Sequence, residues 1–149
     1  MSHTNSWKLA ALFSVLVMIC LISPAITHAI LLGTPPLQVT FPNGSEIVNP
    51  KSNPATIAYT LNGANSAVAT ATFSFTTNGG ATWKAIATVP ITAPTQSVNT
   101  YTYDWTVPAQ TALKTACKVM VVIKNNSGGI IAKDVSNANF TILPFLAIS

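Results

Sequence analysis

Apolar and polar residues alternate with a period of two along most of the chain after residue 35. In the clearest run, Tyr101, Tyr103 and Trp105 share one parity and are separated by polar residues. The same spacing marks five further segments: residues 37–41, 55–61, 69–76, 117–124 and 140–142. The β-prone stretch 82–89 also alternates, although Ile86 interrupts its pattern. Since this period is typical of strands with one buried face, the sequence predicts about seven β-strands.

Turn-forming residues separate these segments. Pro42-Asn43-Gly44 follows the first strand, and Asn125 begins a polar, glycine-containing turn after the sixth. After residue 29 no stretch has the spacing of an amphipathic helix. Short strands joined by turns, without helices, are typical of an antiparallel sandwich of two β-sheets. The sequence therefore predicts an all-β fold over residues 36–142.

The chain begins with the features of an export signal. Lys8 precedes a long apolar run that starts at Leu9, and Pro24 ends it before a short polar stretch. Small residues at Thr27 and Ala29 suit a signal peptidase, so we expect a signal peptide over residues 1–29. Cleavage after Ala25 and an uncleaved membrane anchor are the alternatives.

This division of the chain sets the predicted location and domain organisation. Residues 1–29 form the signal, 30–35 an N-terminal extension, 36–142 the sandwich and 143–149 an apolar tail. A cleaved signal implies that the protein is secreted, to the periplasm, the cell surface or the medium.

The charged residues of the predicted mature chain exclude several kinds of site. It keeps six lysines, no arginine and three carboxylates, those of Glu46, Asp104 and Asp134, which gives a net charge of +3. Both histidines, His3 and His28, precede the cleavage site. Such a chain cannot form a Ser-His-Asp triad, a Cys-His pair or a histidine-ligated metal site. We therefore expect no catalytic residues, no cofactor and no metal.

The lysines of the mature chain are scattered along the sequence. They are Lys51, Lys84, Lys114, Lys118, Lys124 and Lys133. Without arginine there is no forked donor for phosphates or bases, so we expect no nucleic-acid partner.

One local motif predicts a tight hairpin. Asn78, Gly79 and Gly80 suit the positive φ angles of a hairpin turn, and Thr82 and Trp83 restart the strand. The octet from Thr76 to Trp83 resembles the Asp-box hairpin, Ser/Thr-x-Asp-x-Gly-x-Thr-Trp, with Asn78 in place of the acid. That resemblance implies a structural hairpin, formed by Thr76, Asn78, Gly80, Thr82 and Trp83, rather than a catalytic one.

Three further stretches extend the resemblance to nearly the whole mature chain. Residues 42–46, 103–108 and 134–142 follow one another with about the spacing of a known module. Together with the hairpin they resemble the immunoglobulin-like or fibronectin-like β-sandwich modules of secreted bacterial proteins. The resemblance implies a non-catalytic module of the kind found in surface proteins.

For each of two sets of side chains, the sequence is compatible with either a binding role or a structural role. Trp83, Tyr101 and Tyr103 could stack on sugars if exposed, or fill the core if buried. The oxygen-rich segment 134–139 could contribute to a calcium site or form Asx turns that stiffen the entry to the last strand. The sequence leaves these alternatives open.

The two ends of the mature chain are apolar. Residues 30–32 and the tail at 143–149 could pack on the sandwich, or could join the sheet edge of a neighbour and cause self-assembly. We expect a secreted structural or protein-interaction module of the cell envelope or extracellular space, with an envelope protein or polysaccharide as its partner. The alternative is a carbohydrate-binding module that uses exposed aromatics.

Overall fold

Nine β-strands form two sheets in the computed structural model, which describes residues 36–63 and 67–145. The strands are β1 (Leu37–Phe41), β2 (Ile47–Val48), β3 (Ala55–Asn62), β4 (Val68–Thr76), β5 (Lys84–Pro90), β6 (Val98–Trp105), β7 (Lys114–Asn125), β8 (Ile130–Val135) and β9 (Phe140–Ile142). The predicted signal peptide, the extension at 30–35 and residues 146–149 lie outside the described residues.

The first sheet has the strand order β1-β3-β6, and the second has the order β2-β9-β7-β4-β5, with β8 also paired to β7. A single turn of 3-10 helix, Pro50–Ser52, links β2 to β3. No helix in the described part of the chain has the length and apolarity needed to cross a bilayer. The prediction of an all-β fold with two sheets is confirmed.

The core lies between the two sheets and follows the alternation of the sequence. In β7 the side chains of Cys117, Val119, Val121 and Ile123 are completely buried, whereas the residues between them belong to the outer face and, apart from Val122, are only partly covered. Phe73 of the second sheet stacks on Tyr103 of the first, with ring centroids 4.5 Å apart. Apolar burial between sheets is therefore the main stabilising contribution to the fold.

The prediction of about seven strands missed two short ones. β2 has only two residues, too few to show a period, and β8 has Asp134 at a position paired with the inward-facing Val121. The fold also departs from the predicted antiparallel arrangement because β2 pairs with β9 in parallel. Strand pairing of this kind depends on contacts that are distant in sequence, and local alternation does not encode them.

The irregularity at Ile86 has a structural cause. Phe73 of β4 pairs with Ala87, but the next residue, Ser74, pairs with Ala85. Ile86 is therefore the extra residue of a β-bulge, which bends the strand and shifts the parity of its side chains.

Candidate functional site

One lateral side of the sandwich, where β1 approaches β8, is closed by hydrogen bonds between the two sheets; we call it the sealed side. The backbone N–H of Val39 donates to Asp134 Oδ2 at 2.7 Å. Ser136, only 1% exposed, donates from Oγ to the Pro42 carbonyl at 2.8 Å and accepts from the Val119 N–H at 3.0 Å. These side chains bond strand and loop backbone that would otherwise be unpaired.

The loop between β1 and β2 completes the sealed side. Asn43 Oδ1 accepts from the Asn137 N–H at 2.7 Å, and the Asn43 carbonyl accepts from the Ala138 N–H at 3.1 Å. Glu46 bends the loop by accepting from the N–H groups of Asn43 and Gly44. A Cβ atom at Gly44 would lie 2.7 Å from Ala138 Cβ, so only glycine allows the two segments to approach this closely.

These bonds bear on the role of segment 134–139. The carboxylate of Asp134 bonds Val39, 95 positions away, and the hydroxyl of Ser136 bonds Pro42 and Val119, 94 and 17 positions away, rather than forming the local Asx turns considered for this segment. Among the described residues, no three His, Cys, Asp or Glu side chains come together as a potential metal site. The geometry makes the segment a clasp between the sheets.

The opposite side, which we call the open side, is bordered by the edge strands β5 and β6. The Gly63 N–H donates to the Ser97 carbonyl at 2.8 Å, in register with the β3–β6 ladder. Because antiparallel ladders alternate, the residues of β6 whose N–H groups point away from β3 are Val98, Thr100, Thr102 and Asp104. In the described residues no strand pairs with this outer edge of β6.

A cavity of about 290 Å³ lies between the two edge strands. Its lining comes from β4, β5, β6 and the segment after β6, and consists of Phe75, Ala85, Ile86, Tyr103, Asp104, Trp105, Thr106 and Pro108. Its aromatic wall is packed against the second sheet, because Tyr103 stacks on Phe73 and the ring centroids of Trp105 and Phe75 lie 5.1 Å apart. The open side thus combines an unpaired strand edge with a hollow that has an aromatic wall, and Asp104, whose Oδ1 accepts from Thr56 Oγ1 at 3.3 Å, is among its lining residues.

The structure separates the three aromatic residues proposed to bind a ligand. Tyr103 lines the cavity, whereas Tyr101 stacks on Tyr59 at 5.3 Å and donates its hydroxyl to the Thr92 carbonyl at 2.8 Å. Burial raises the pKa of the Tyr101 hydroxyl. The pKa of Tyr59 is raised mainly by burial and, to a smaller extent, by the charge that Tyr101 carries when ionised. Trp83 lies at the hairpin, where its ring would be 3.7 Å from a Cβ atom placed on Gly80. Tyr103 is therefore the one of the three that lies at the cavity.

The hairpin at residues 76–83 is held by two side chains. Thr76 Oγ1 donates to Asn78 Oδ1 at 2.7 Å and accepts from the Gly80 N–H at 3.2 Å. Asn78 Oδ1 also accepts from the Thr82 N–H at 3.0 Å, and Asn78 Nδ2 donates to Thr82 Oγ1 at 2.9 Å. Gly79 and Gly80 have φ angles of 71° and 108°, which favour glycine.

The hairpin is also attached to the second sheet. The Gly79 N–H donates to the carbonyl of Ala116, in the first part of β7, at 2.7 Å. This bond, with the Thr76–Asn78 network, sets where β5 begins and therefore where one border of the cavity lies. The eight residues carry no ionisable side chain, and their geometry is that of a scaffold.

The apolar tail is described as far as Phe145. The Leu143 N–H donates to the Val48 carbonyl at 2.9 Å, and the Phe145 N–H donates to the Gln110 carbonyl at 2.7 Å. Lys51 Nζ lies 5.9 Å from the centre of the Phe145 ring. The first part of the tail is therefore hydrogen bonded to the sandwich through Leu143 and Phe145, although the Phe145 side chain is 45% exposed.

The fold brings together lysines that the sequence scatters. Lys118 and Lys124 share a parity in β7, and Lys133 of β8 pairs with Val122, which lies between them. All three side chains belong to the outer face of the second sheet. Their shared parity was the one local signal of this grouping, and the β7–β8 register was needed to add Lys133.

No family model matches the chain, and no curated protein matches it.

Proposed function

We propose that this chain is a non-catalytic, exported β-sandwich module that acts by surface contact in the cell envelope or extracellular space, with the open side as its contact surface. One observation carries the proposal: the edge of β6 presents unpaired backbone groups beside an aromatic cavity, while the opposite side is closed by Asp134 and Ser136.

An open edge of this kind suits an extended segment of a protein partner. A partner strand would hydrogen bond to the outward N–H and C=O groups of β6, which are Val98, Thr100, Thr102 and Asp104. Because side chains alternate along a strand, every second residue of the partner would face the cavity. Its wall of Tyr103, Trp105 and Ile86 favours an apolar side chain there, and Asp104 favours a basic neighbour.

The topology supports the resemblance to immunoglobulin-like and fibronectin-like modules. If β1 with β2 and β8 with β9 are each counted as one interrupted strand, the nine strands reduce to seven. Three of them face four across the core, a division common to two-layer sandwiches of this kind. The predicted signal peptide supports a location outside the cytoplasm for this module.

Export has a direct test. Intact-mass measurement of the protein recovered from the envelope or medium should show a chain that begins at Ile30, or at Ile26 if the alternative site is used. A full-length chain confined to the cytoplasm would contradict the proposal.

The contact surface can be tested by site-specific photo-crosslinking in the producing cells. A benzoylphenylalanine at Ala85, on the rim of the cavity, should form adducts with a partner, whereas the same residue at Asn137 on the sealed side should not. Thr102→Pro removes an N–H that points away from β3 and should abolish the adducts at Ala85.

Thr102→Val is the matched control, because it retains the N–H and should retain the adducts. Urea unfolding of each variant establishes that the sandwich is intact. Adducts of equal yield at both positions, or adducts that persist in a folded Thr102→Pro variant, would rule out pairing at the open edge.

A second candidate, carbohydrate binding, is favoured by the combination of Tyr103 and Asp104 at one cavity. Aromatic faces pack on sugar rings, and a carboxylate accepts hydrogen bonds from sugar hydroxyls. If soluble polysaccharide shifts the tryptophan fluorescence, Asp104→Asn should weaken the effect and Trp83→Ala should leave it unchanged. Loss of the response in Trp83→Ala alone would instead place the sugar at the hairpin.

A further inference from the structure

We infer that the outer face of the second sheet binds an acidic polysaccharide through Lys118, Lys124 and Lys133. The inference rests on the proposed function, since it assigns this extracellular module a second surface with a defined type of partner. We call this surface the lysine face.

The register of β7 and β8 brings the three lysines together on the lysine face. Lys118 and Lys124 are six residues apart in β7, which at strand rise corresponds to about 20 Å. Lys133 of the neighbouring strand β8 pairs with Val122, which lies between the two, so the three lysines are spread along two adjacent strands. This spacing suits an extended chain that carries repeated negative charges better than it suits a single small anion.

The carboxylates are placed elsewhere on the molecule. Asp104 pairs with Thr56 on the outer face of the first sheet, while Asp134 and Glu46 accept hydrogen bonds from backbone N–H groups on the sealed side. Among the described residues, no Asp or Glu lies on the lysine face. Three positive charges without a neighbouring acid produce a local potential that attracts polyanions.

The polar residues around the lysines favour a glycan. The face carries a group of hydroxyls from Thr70, Thr72, Ser74 and Thr88, and Thr72 and Thr88 lie 3.0 Å apart at their Oγ1 atoms. Hydroxyls donate to and accept from sugar hydroxyls, and lysine ammonium groups pair with carboxylates of the chain. The central Val122 is only 8% exposed, and Ile130, the strongly exposed apolar residue of this face at 66%, lies at its end, paired with Lys124.

Matched lysine variants provide the test. Lys118→Gln, Lys124→Gln and Lys133→Gln are combined in one variant, and Lys51→Gln, Lys84→Gln and Lys114→Gln in another. Both lose three positive charges, but only the first loses the lysine face. Binding to immobilised polygalacturonate at low ionic strength should weaken about tenfold in the first variant and less than about twofold in the second.

Several results would overturn the inference. If both variants lose the same binding affinity for polygalacturonate, the protein responds to net charge alone. The inference also fails if the unmodified protein does not bind polygalacturonate. Tighter binding to duplex DNA or to anionic phospholipid vesicles than to polygalacturonate would replace the glycan with a different partner. The crosslinking variant Thr102→Pro should still bind polygalacturonate, so failure of the lysine face and failure of the open side are separable.

Discussion

The strand edges on the sealed side of the sandwich are covered by side-chain hydrogen bonds, whereas within the described residues those on the open side are not. On the sealed side, Asp134 accepts the outward N–H of Val39 and Ser136 bonds backbone of two segments, so the edge of β1 is covered. On the open side, the edges of β5 and β6 border a cavity, and stacked aromatic rings close the space between the sheets. Since uncovered edges invite pairing with other chains, the contrast indicates where stability and where contact are concentrated.

The chemistry of the two sides explains the contrast. Polar bonds on the sealed side are directional and partly buried, and losing one leaves a backbone group without a partner. Aromatic packing on the open side depends mainly on the large buried area of the rings, so a change that keeps a ring keeps most of its contribution. We therefore expect polar substitutions to cost more on the sealed side than on the open side.

The largest effect is expected from Ser136→Ala. The change removes the acceptor of the Val119 N–H and the donor to the Pro42 carbonyl in a site that is 1% exposed. It should lower the free energy of unfolding by about 3 kcal/mol, measured by urea denaturation. Ser74→Ala, on the partly exposed outer face, is the control and should change it by less than about 0.5 kcal/mol. Equal effects would show that the clasp does not stabilise the sealed side.

The hairpin that positions β5 should respond less strongly. Asn78→Ala removes the acceptor of Thr76 Oγ1 and of the Thr82 N–H, and we expect a loss of about 1–2 kcal/mol. Asn78→Asp should be nearly neutral, because the Thr82 hydroxyl can rotate to donate to the new carboxylate. Thermal unfolding of both variants distinguishes them, and an Asp variant as unstable as the Ala variant would show that the Asn78 Nδ2 donor is essential.

Alkaline pH should act on the aromatic core bordering the open side. Burial raises the pKa of Tyr59 above its unfolded value, so folding favours the neutral phenol. Stability from this group is fully present below about pH 10 and is lost above it, by at most about 1.4 kcal/mol per pH unit for one proton. Tyr59→Phe should reduce this slope in urea denaturation between pH 9 and 11, and an unchanged slope would assign it to other groups.

The smallest effect is expected from Tyr101→Phe on the open side. It removes one hydrogen bond to the Thr92 carbonyl but keeps the ring stacked on Tyr59. We expect a loss of about 0.5 kcal/mol by urea denaturation. A loss as large as that of Ser136→Ala would end the distinction between the two sides.

The candidate site was only partly predictable. Local sequence pointed to the hairpin, whose turn residues and restart signal lie within eight positions, and to the shared face of Tyr101, Tyr103 and Trp105. It did not show that Tyr101 and Tyr103 would be half-buried and Trp105 nearly buried. That difference arises because β6 is an edge strand, whose side chains are covered by a neighbouring strand on one side only, and edge position depends on the whole sheet.

The sequence by itself determined the strands and the faces they bury, because alternation is a local property of each segment. It also determined the charged side chains of the predicted mature chain, which are six lysines and three carboxylates, with no arginine. Tertiary structure alone decided that Asp134 would bond Val39, 95 positions earlier, and that Lys133 would join Lys118 and Lys124 on one face. The physical reason is that strand order and register arise from burial and hydrogen bonding between distant segments, and these decide which edges are covered.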